Sequence, residues 1–267
     1  MILLKNIRIA GMERREFLRK GLTLGTAGLL PGIGLKASDC LSIVPGIPSE
    51  SIWDAAVHGR WGAVKHWLRC DPTLINITGR VSIQGLDCDK VPLFHLVSAL
   101  NPSVGFLKSL VAIGANSNAS NEYGNTPLEY AVFSNSNVAV LEYLISRGAN
   151  INAVNENGGL LHYARRNPNV QVFEYLVSQG VDVYATDKWD NTPLHWAAKE
   201  NPNVEVLKYL VSQGLDVNAK NGDGNTALHL AMRSGQSEVA EYLISCGTDE
   251  TISLRAHFKK TILKHAG

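Results

Sequence analysis

An all-α repeat solenoid is the fold class this 267-residue sequence predicts, and three observations predict it. Leucines at matching places, Leu93, Leu128, Leu161, Leu194 and Leu228, recur at intervals of 35, 33, 33 and 34 residues. Each interval holds two short stretches with helical apolar spacing. Each then closes on a polar, Gly-rich stretch such as "LDVNAKNGDGN". One unit of this size cannot bury its apolar face alone, whereas a stack of such units can.

The chain begins differently. Residues 12–21, "MERREFLRKG", are basic, and residues 22–35 form a short, Gly-rich apolar run. That run is too short to span a bilayer but has the length of a signal-peptide core. Arg14 and Arg15, then Phe17 and Leu18, resemble the twin-arginine export signal, with Arg19 in the place often held by lysine. The resemblance implies a removed segment at 1–37, with Met12 as a second candidate start, and a periplasmic or secreted protein. Residues 38–50, with two prolines and a glycine in "LSIVPGIPSE", read as a linker.

Repeats occupy 51–254, about six in all. Representative units are "NTPLEYAVFSNSNVAVLEYLISRGANINAVNENG", "NTPLHWAAKENPNVEVLKYLVSQGLDVNAKNGDG" and "NTALHLAMRSGQSEVAEYLISCGTDE". The period, the T-P-L-H-x-A signature and the G-x-D-V-N-A ending together resemble the ankyrin repeat family. The resemblance implies a stack of helix-turn-helix units with β-hairpin-like fingers and a concave groove lined by the first helix of each unit.

Local chemistry supports the same elements. In "TPLHWAAKE", Thr192 is the cap candidate and Pro193 the first-turn proline. In "NPNVEVLKYLVSQG", Asn201 is expected to cap, Pro202 to start and Gly214 to end the second helix. Val204, Leu207, Leu210 and Val211 fall on one face of it. Residues 71–91 lengthen the first connection, which reads as an elongated finger. Residues 255–267, "RAHFKKTILKHAG", read as a basic amphipathic helix capping the last repeat.

Composition narrows the function classes. Apolar residues make up 45% and charged residues 18%, as in ordinary globular proteins, and the net charge is +1. Residues 1–37 hold seven Lys/Arg and two acids, which leaves 18 Lys/Arg against 22 Asp/Glu, a net −4, from residue 38 onward. Such a balance argues against a nucleic-acid binder, which needs a basic stripe. No segment is expected to insert stably in a membrane, and a monomer is expected. Cys40, Cys70, Cys88 and Cys246 form no CxxC pair, so no zinc site is expected. In an exported protein Cys70 and Cys88 could form a disulfide or stay as thiols.

No G-x-S-x-G, H-E-x-x-H or P-loop pattern is present, and no catalytic residue or cofactor is expected. His162, His195 and His229 recur at one place in successive repeats. Packed helices stand about 8–10 Å apart, too far for neighbouring rings to share a zinc held at about 2 Å. The ankyrin resemblance implies instead that these rings bond local backbone. Glu129 replaces histidine in one repeat, which is expected to weaken that cap.

Aromatic residues offer the better lead. Tyr130, Tyr163 and Trp196 follow the histidine position in three repeats, and Tyr123 and Trp189 stand at fingertip positions. Arg165 and Lys199, with Arg166 and Glu200, would rim them. Tyr, Trp and Arg are the residues over-represented at interface hot spots. The expected function is protein binding through the concave face by an exported module acting as scaffold, protector or inhibitor of a periplasmic partner. Two alternatives are a secreted effector that binds a host protein, and an accessory enzyme using Cys70, Asp71, Asp87, Cys88 and Asp89 of the long connection.

Overall fold

A computed structural model describes residues 52–70, 72–76, 78–83 and 86–247. The expected signal at 1–37, the linker at 38–50 and the capping helix at 255–267 lie outside the described residues. The Cys70–Cys88 pairing also falls outside them, because those side chains are not described.

Among the described residues twelve short helices follow one another in pairs, with a single two-stranded sheet, so the chain is an all-α repeat solenoid. The described residues divide into two compact units, those up to residue 100 with 107–116, and 101–106 with those from 117 onward.

In the first unit α1 (Ile52–Val57) and α2 (Trp61–Cys70) lead through a 3-10 turn, Pro72–Asn76, into β1 (Thr78–Ile83) and β2 (Leu86–Pro92). α3 (Leu93–Leu100) follows directly. The strands are antiparallel, from Thr78 opposite Pro92 to Ile83 opposite Leu86, with a register shift between Gly79 and Val81. The lengthened connection is therefore an extended hairpin, as expected. β1 lies on α1 so closely that a Cβ on Gly79 would sit 0.6 Å from Nε1 of Trp53. Only glycine fits there. Trp53, Val64, Trp67, Leu74, Leu93 and Leu96 are among the residues that fill the core below.

α4 (Val104–Ala112) precedes the second unit's regular pairs. These are α5 (Pro127–Ser134) with α6 (Val138–Ser146), α7 (Leu160–Tyr163) with α8 (Val170–Ser178), α9 (Pro193–Glu200) with α10 (Val204–Ser212), and α11 (Ala227–Arg233) with α12 (Ser237–Ser245). α7 runs on into a 3-10 turn, Ala164–Arg166. Thr126, Thr192 and Thr226 cap the first helices of their pairs, with proline in the first turn after Thr126 and Thr192. Gly148, Gly180, Gly214 and Gly247 follow the second helices at positive φ, the conformation that ends a helix without steric cost.

α10 differs from expectation in detail. α10 is capped by Asn203, not Asn201, and begins at Val204 rather than Pro202. Asn201 is fully buried; its Oδ1 accepts from the Asn203 N–H at 2.9 Å and its Nδ2 donates to the Asn167 carbonyl at 2.8 Å. Both ends of the Asn201 amide are thus spent, and the Oδ1 of Asn203 caps the helix by accepting from the Glu205 N–H. On α10 itself Val204, Val206, Leu207 and Leu210 are buried, while Val211 is half-buried.

The Asn201 arrangement is general. Asn135 donates to the Asn101 carbonyl at 2.9 Å, and Asn167 donates to the carbonyls of Val132 and Asn135 at 2.9 and 3.0 Å. A second row runs beside it: Asn137 to Pro102, Asn169 to Ser136 and Asn203 to Pro168, at 2.6, 2.8 and 2.8 Å. The second row also caps the following helices through its Oδ1 atoms. Where two helices meet, buried carbonyls need partners, and these amides supply them from the next repeat.

The fingers between the second unit's repeats form no strands among the described residues. Each is a tight turn organised by one Asn or Asp. Asn121, Asp187 and Asn221 each take two backbone N–H groups on Oδ1, and their own N–H bonds the carbonyl four residues on. Such turns need less chain than a ladder and bond through side chains instead.

Candidate protein-binding surface

The histidines are structural ties. His195 Nδ1 accepts from the Thr192 N–H at 3.2 Å, and His195 Nε2 donates to the Asn225 carbonyl of the next repeat at 3.1 Å. His162 does the same between the Gly159 N–H, at 3.1 Å, and the Asn191 carbonyl, at 2.9 Å. His229 accepts from the Thr226 N–H at 3.0 Å. Donation at Nε2 fixes the tautomer for His162 and His195. Those two rings are bolts through two repeats.

Glu129 keeps the local half of this bolt. Its carboxylate accepts from the Thr126 N–H, completing a capping box with the Thr126 side chain, so the cap is formed rather than weakened. A carboxylate has no donor for the next repeat. That repeat is also shorter by one residue, with Gly158 and Gly159 in place of the G-N-T of "EYGNTPL". Gly158 has φ +92, and a Cβ there would lie 2.4 Å from the His162 ring.

Burial holds the His162, His195 and His229 imidazoles below the ordinary 6.5. The unfolded chain therefore takes up protons near that value before the folded chain does, and stability falls as pH drops below about 6.5. Burial pushes Glu129 up, which acts in the opposite sense. In a Glu129→Gln background, the urea midpoint is expected to fall between pH 7.5 and 5.5. A midpoint that holds or rises would count against neutral, bonded histidines.

Beside the bolts lies the aromatic set. Tyr123 and Trp189 are exposed at fingertips, at 64% and 47%. Tyr130 and Trp196 are half-buried on α5 and α9. Tyr163 on α7 is buried: its hydroxyl accepts from Asn155 Nδ2 and donates to Asn125 Oδ1, both at 2.8 Å. That residue bridges two fingers and offers little surface to a partner.

Trp196 is the best-held ring. Its Nε1–H donates to Asp187 Oδ2 at 2.7 Å. Arg165 lies 5.2 Å from its ring centroid and Lys199 Nζ 4.4 Å. Arg165 also lies 5.4 Å from the Phe133 ring, so it links rings on α5 and α9. Glu200 then accepts from Arg165 Nε at 3.2 Å and Arg166 Nε at 2.8 Å. At the fingertips Lys188 stands 4.6 Å from the Trp189 ring and pairs with Glu156 at 2.6 Å. Burial would raise the Asp187 carboxyl, but hydrogen bonds from Asn191, Trp196 and backbone N–H groups outweigh it and hold it low. Asp187 is thus an anion that fixes the indole.

Two contributors are absent from the sequence reading. Phe133 stands one helical turn after Tyr130, and that spacing could have revealed it. Asp187 holds the place taken by Asn121, Asn155 and Asn221 elsewhere, nine residues before Trp196. Its charge was the available signal. Conversely, Asp190 occupies the place of Gly124 and Gly224 and has φ 59. Replacing Asp190 with Gly is expected to stabilise by about 0.5 kcal/mol, read from the urea midpoint. A loss of stability would show that the carboxylate has a local role.

Comparison with known families decides the class. A family described as ankyrin repeats (3 copies) matches residues 52–155 and 161–253. The chain belongs to the ankyrin repeat family. No curated protein matches it. Ankyrin repeats serve generally as protein-binding modules, and that is the coarse function of this chain. Among the described residues of this ankyrin protein, no group of three or more His, Cys, Asp or Glu could hold a metal ion. Nor is any helix there long and apolar enough to cross a membrane.

Proposed function

We propose that this ankyrin protein is exported and binds a periplasmic partner through its concave face, as scaffold, protector or inhibitor. The observation that carries the binding face is Trp196, half-buried, flanked by two cations and fixed by Asp187. A ring already ordered loses little entropy on binding, and aromatic anchors supply most interface energy. Trp189, Tyr123, Tyr130, Arg165 and Lys199 extend the surface. Arg14, Arg15, Phe17 and Leu18 support export.

Each half has its own test. Arg14→Lys with Arg15→Lys is expected to leave the protein in the cytoplasm; unaltered export would remove the periplasmic assignment. Mature chain used to capture proteins from a periplasmic extract is expected to retain a partner that Trp196→Ala does not. Equal capture by both would remove the concave-face assignment.

A further inference from the structure

In the second unit, charge is sorted by element. The first helices, α5, α7 with its 3-10 turn, α9 and α11, carry Arg165, Arg166, Lys199 and Arg233 against Glu129 and Glu200. The second helices, α6, α8, α10 and α12, carry Glu142, Glu174, Glu205, Glu238 and Glu241 against Lys208. The turns between repeats, at 117–126, 147–159, 179–192 and 213–226, hold seven acids and three bases. The formal charge is thus +2 on the first helices, −4 on the second helices and −4 in the turns. One positive band lies among negative surroundings.

Helix-end cations favour the helix dipole, which explains one such residue per helix. It does not explain two arginines sharing one carboxylate: Glu200 serves both Arg165 and Arg166 and is itself largely covered. Arg166, Lys199 and Arg233 stand at the same place in consecutive repeats. Lys199 remains 39% exposed and Arg233 is exposed.

We infer that the partner of this face is a protein segment in polyproline II form, with acidic side chains at about three-residue intervals. This rests on the concave-face reading above and gives it a chemistry. Repeats stack at about 8–10 Å, and a polyproline II chain advances about 3.1 Å per residue with about three residues per turn, so every third side chain lies on one face and meets the next cation. The apolar residues between acids would reach the rings of Trp196 and Phe133. A nucleic-acid backbone carries many more charges than this band can neutralise, and the acidic turns and second helices repel it.

Fluorescein-labelled synthetic peptides test the inference by fluorescence anisotropy with the mature chain. One has glutamate at every third position, one has the same composition with its glutamates clustered, and one has lysine for each glutamate. An oligothymidylate of similar charge is the fourth probe. The spaced acidic peptide is expected to bind at least tenfold more tightly than the lysine peptide and several-fold more tightly than the clustered one. Lys199→Glu with Arg233→Glu, both at accessible positions, is expected to abolish that preference. Lys199→Gln with Arg233→Gln serves if charge reversal disturbs folding. Equal or tighter binding of the lysine peptide or the oligothymidylate, or a preference retained in these variants, would overturn the inference. Partner capture that still depends on Trp196 without any acidic preference would likewise overturn it, while leaving the concave-face reading in place.

Discussion

Asn167→Ala is expected to destabilise the protein by about 3 kcal/mol, with the fold otherwise preserved. Asn167 is fully buried. Its Nδ2 donates to the carbonyls of Val132 and Asn135, and its Oδ1 accepts from the Asn169 N–H. Alanine removes all three bonds and leaves buried backbone groups without their partners. A buried unsatisfied group costs about 1–3 kcal/mol, against about 1 kcal/mol for an ordinary hydrogen bond lost to water. Asn169→Ala is the internal comparison. It removes one tie to the Ser136 carbonyl and one helix cap, at a part-exposed position, for about 1 kcal/mol. Urea unfolding of both variants reads the difference. An Asn169 variant as damaged as the Asn167 variant would show that the buried amide row is not what locks neighbouring repeats.

Trp196→Ala is expected to weaken partner binding by about 10- to 100-fold. The indole is held by Asp187 from one side and by cations at its faces, so the free protein already presents it in one orientation. Alanine removes the anchor and the ring contacts of Arg165 and Lys199 together. Tyr163→Phe makes the contrast. It deletes only the hydroxyl that joins Asn155 to Asn125, inside the fold. That variant is expected to lose stability and keep affinity, measured by titration calorimetry at a temperature where both variants are folded. The reverse pattern would place the binding surface elsewhere.

Much of this architecture is legible in the sequence. The period of the leucines, Thr192 before Pro193, and Gly214 after α10 each state a local preference that the stack satisfies. The histidine positions are legible too, because Thr and His three residues apart define a cap. The asparagine rows are harder to read. Asn201 looks like a cap by every local rule, yet its amide bonds a carbonyl 34 residues earlier. Local chemistry cannot distinguish a cap from a tie to a neighbouring repeat; the recurrence of Asn-x-Asn at 135–137, 167–169 and 201–203 could have done so. Tyr163 has the same lesson for the surface. Its place in the repeat matches Tyr130 and Trp196, and all three bond the Asn or Asp of their own finger, but the Tyr163 hydroxyl also reaches Asn125 of the preceding finger. Side-chain type and position identify the strip; which members face solvent depends on contacts with neighbouring repeats.

The most direct test of the central claim is site-specific photo-crosslinking in cells. A photoreactive residue is placed at Trp189 or Lys199 on the proposed face, and at Glu174 or Lys208 on the second helices. Adducts to one partner from the first pair and none from the second are the predicted result. Adducts from Glu174 and Lys208 alone would contradict it.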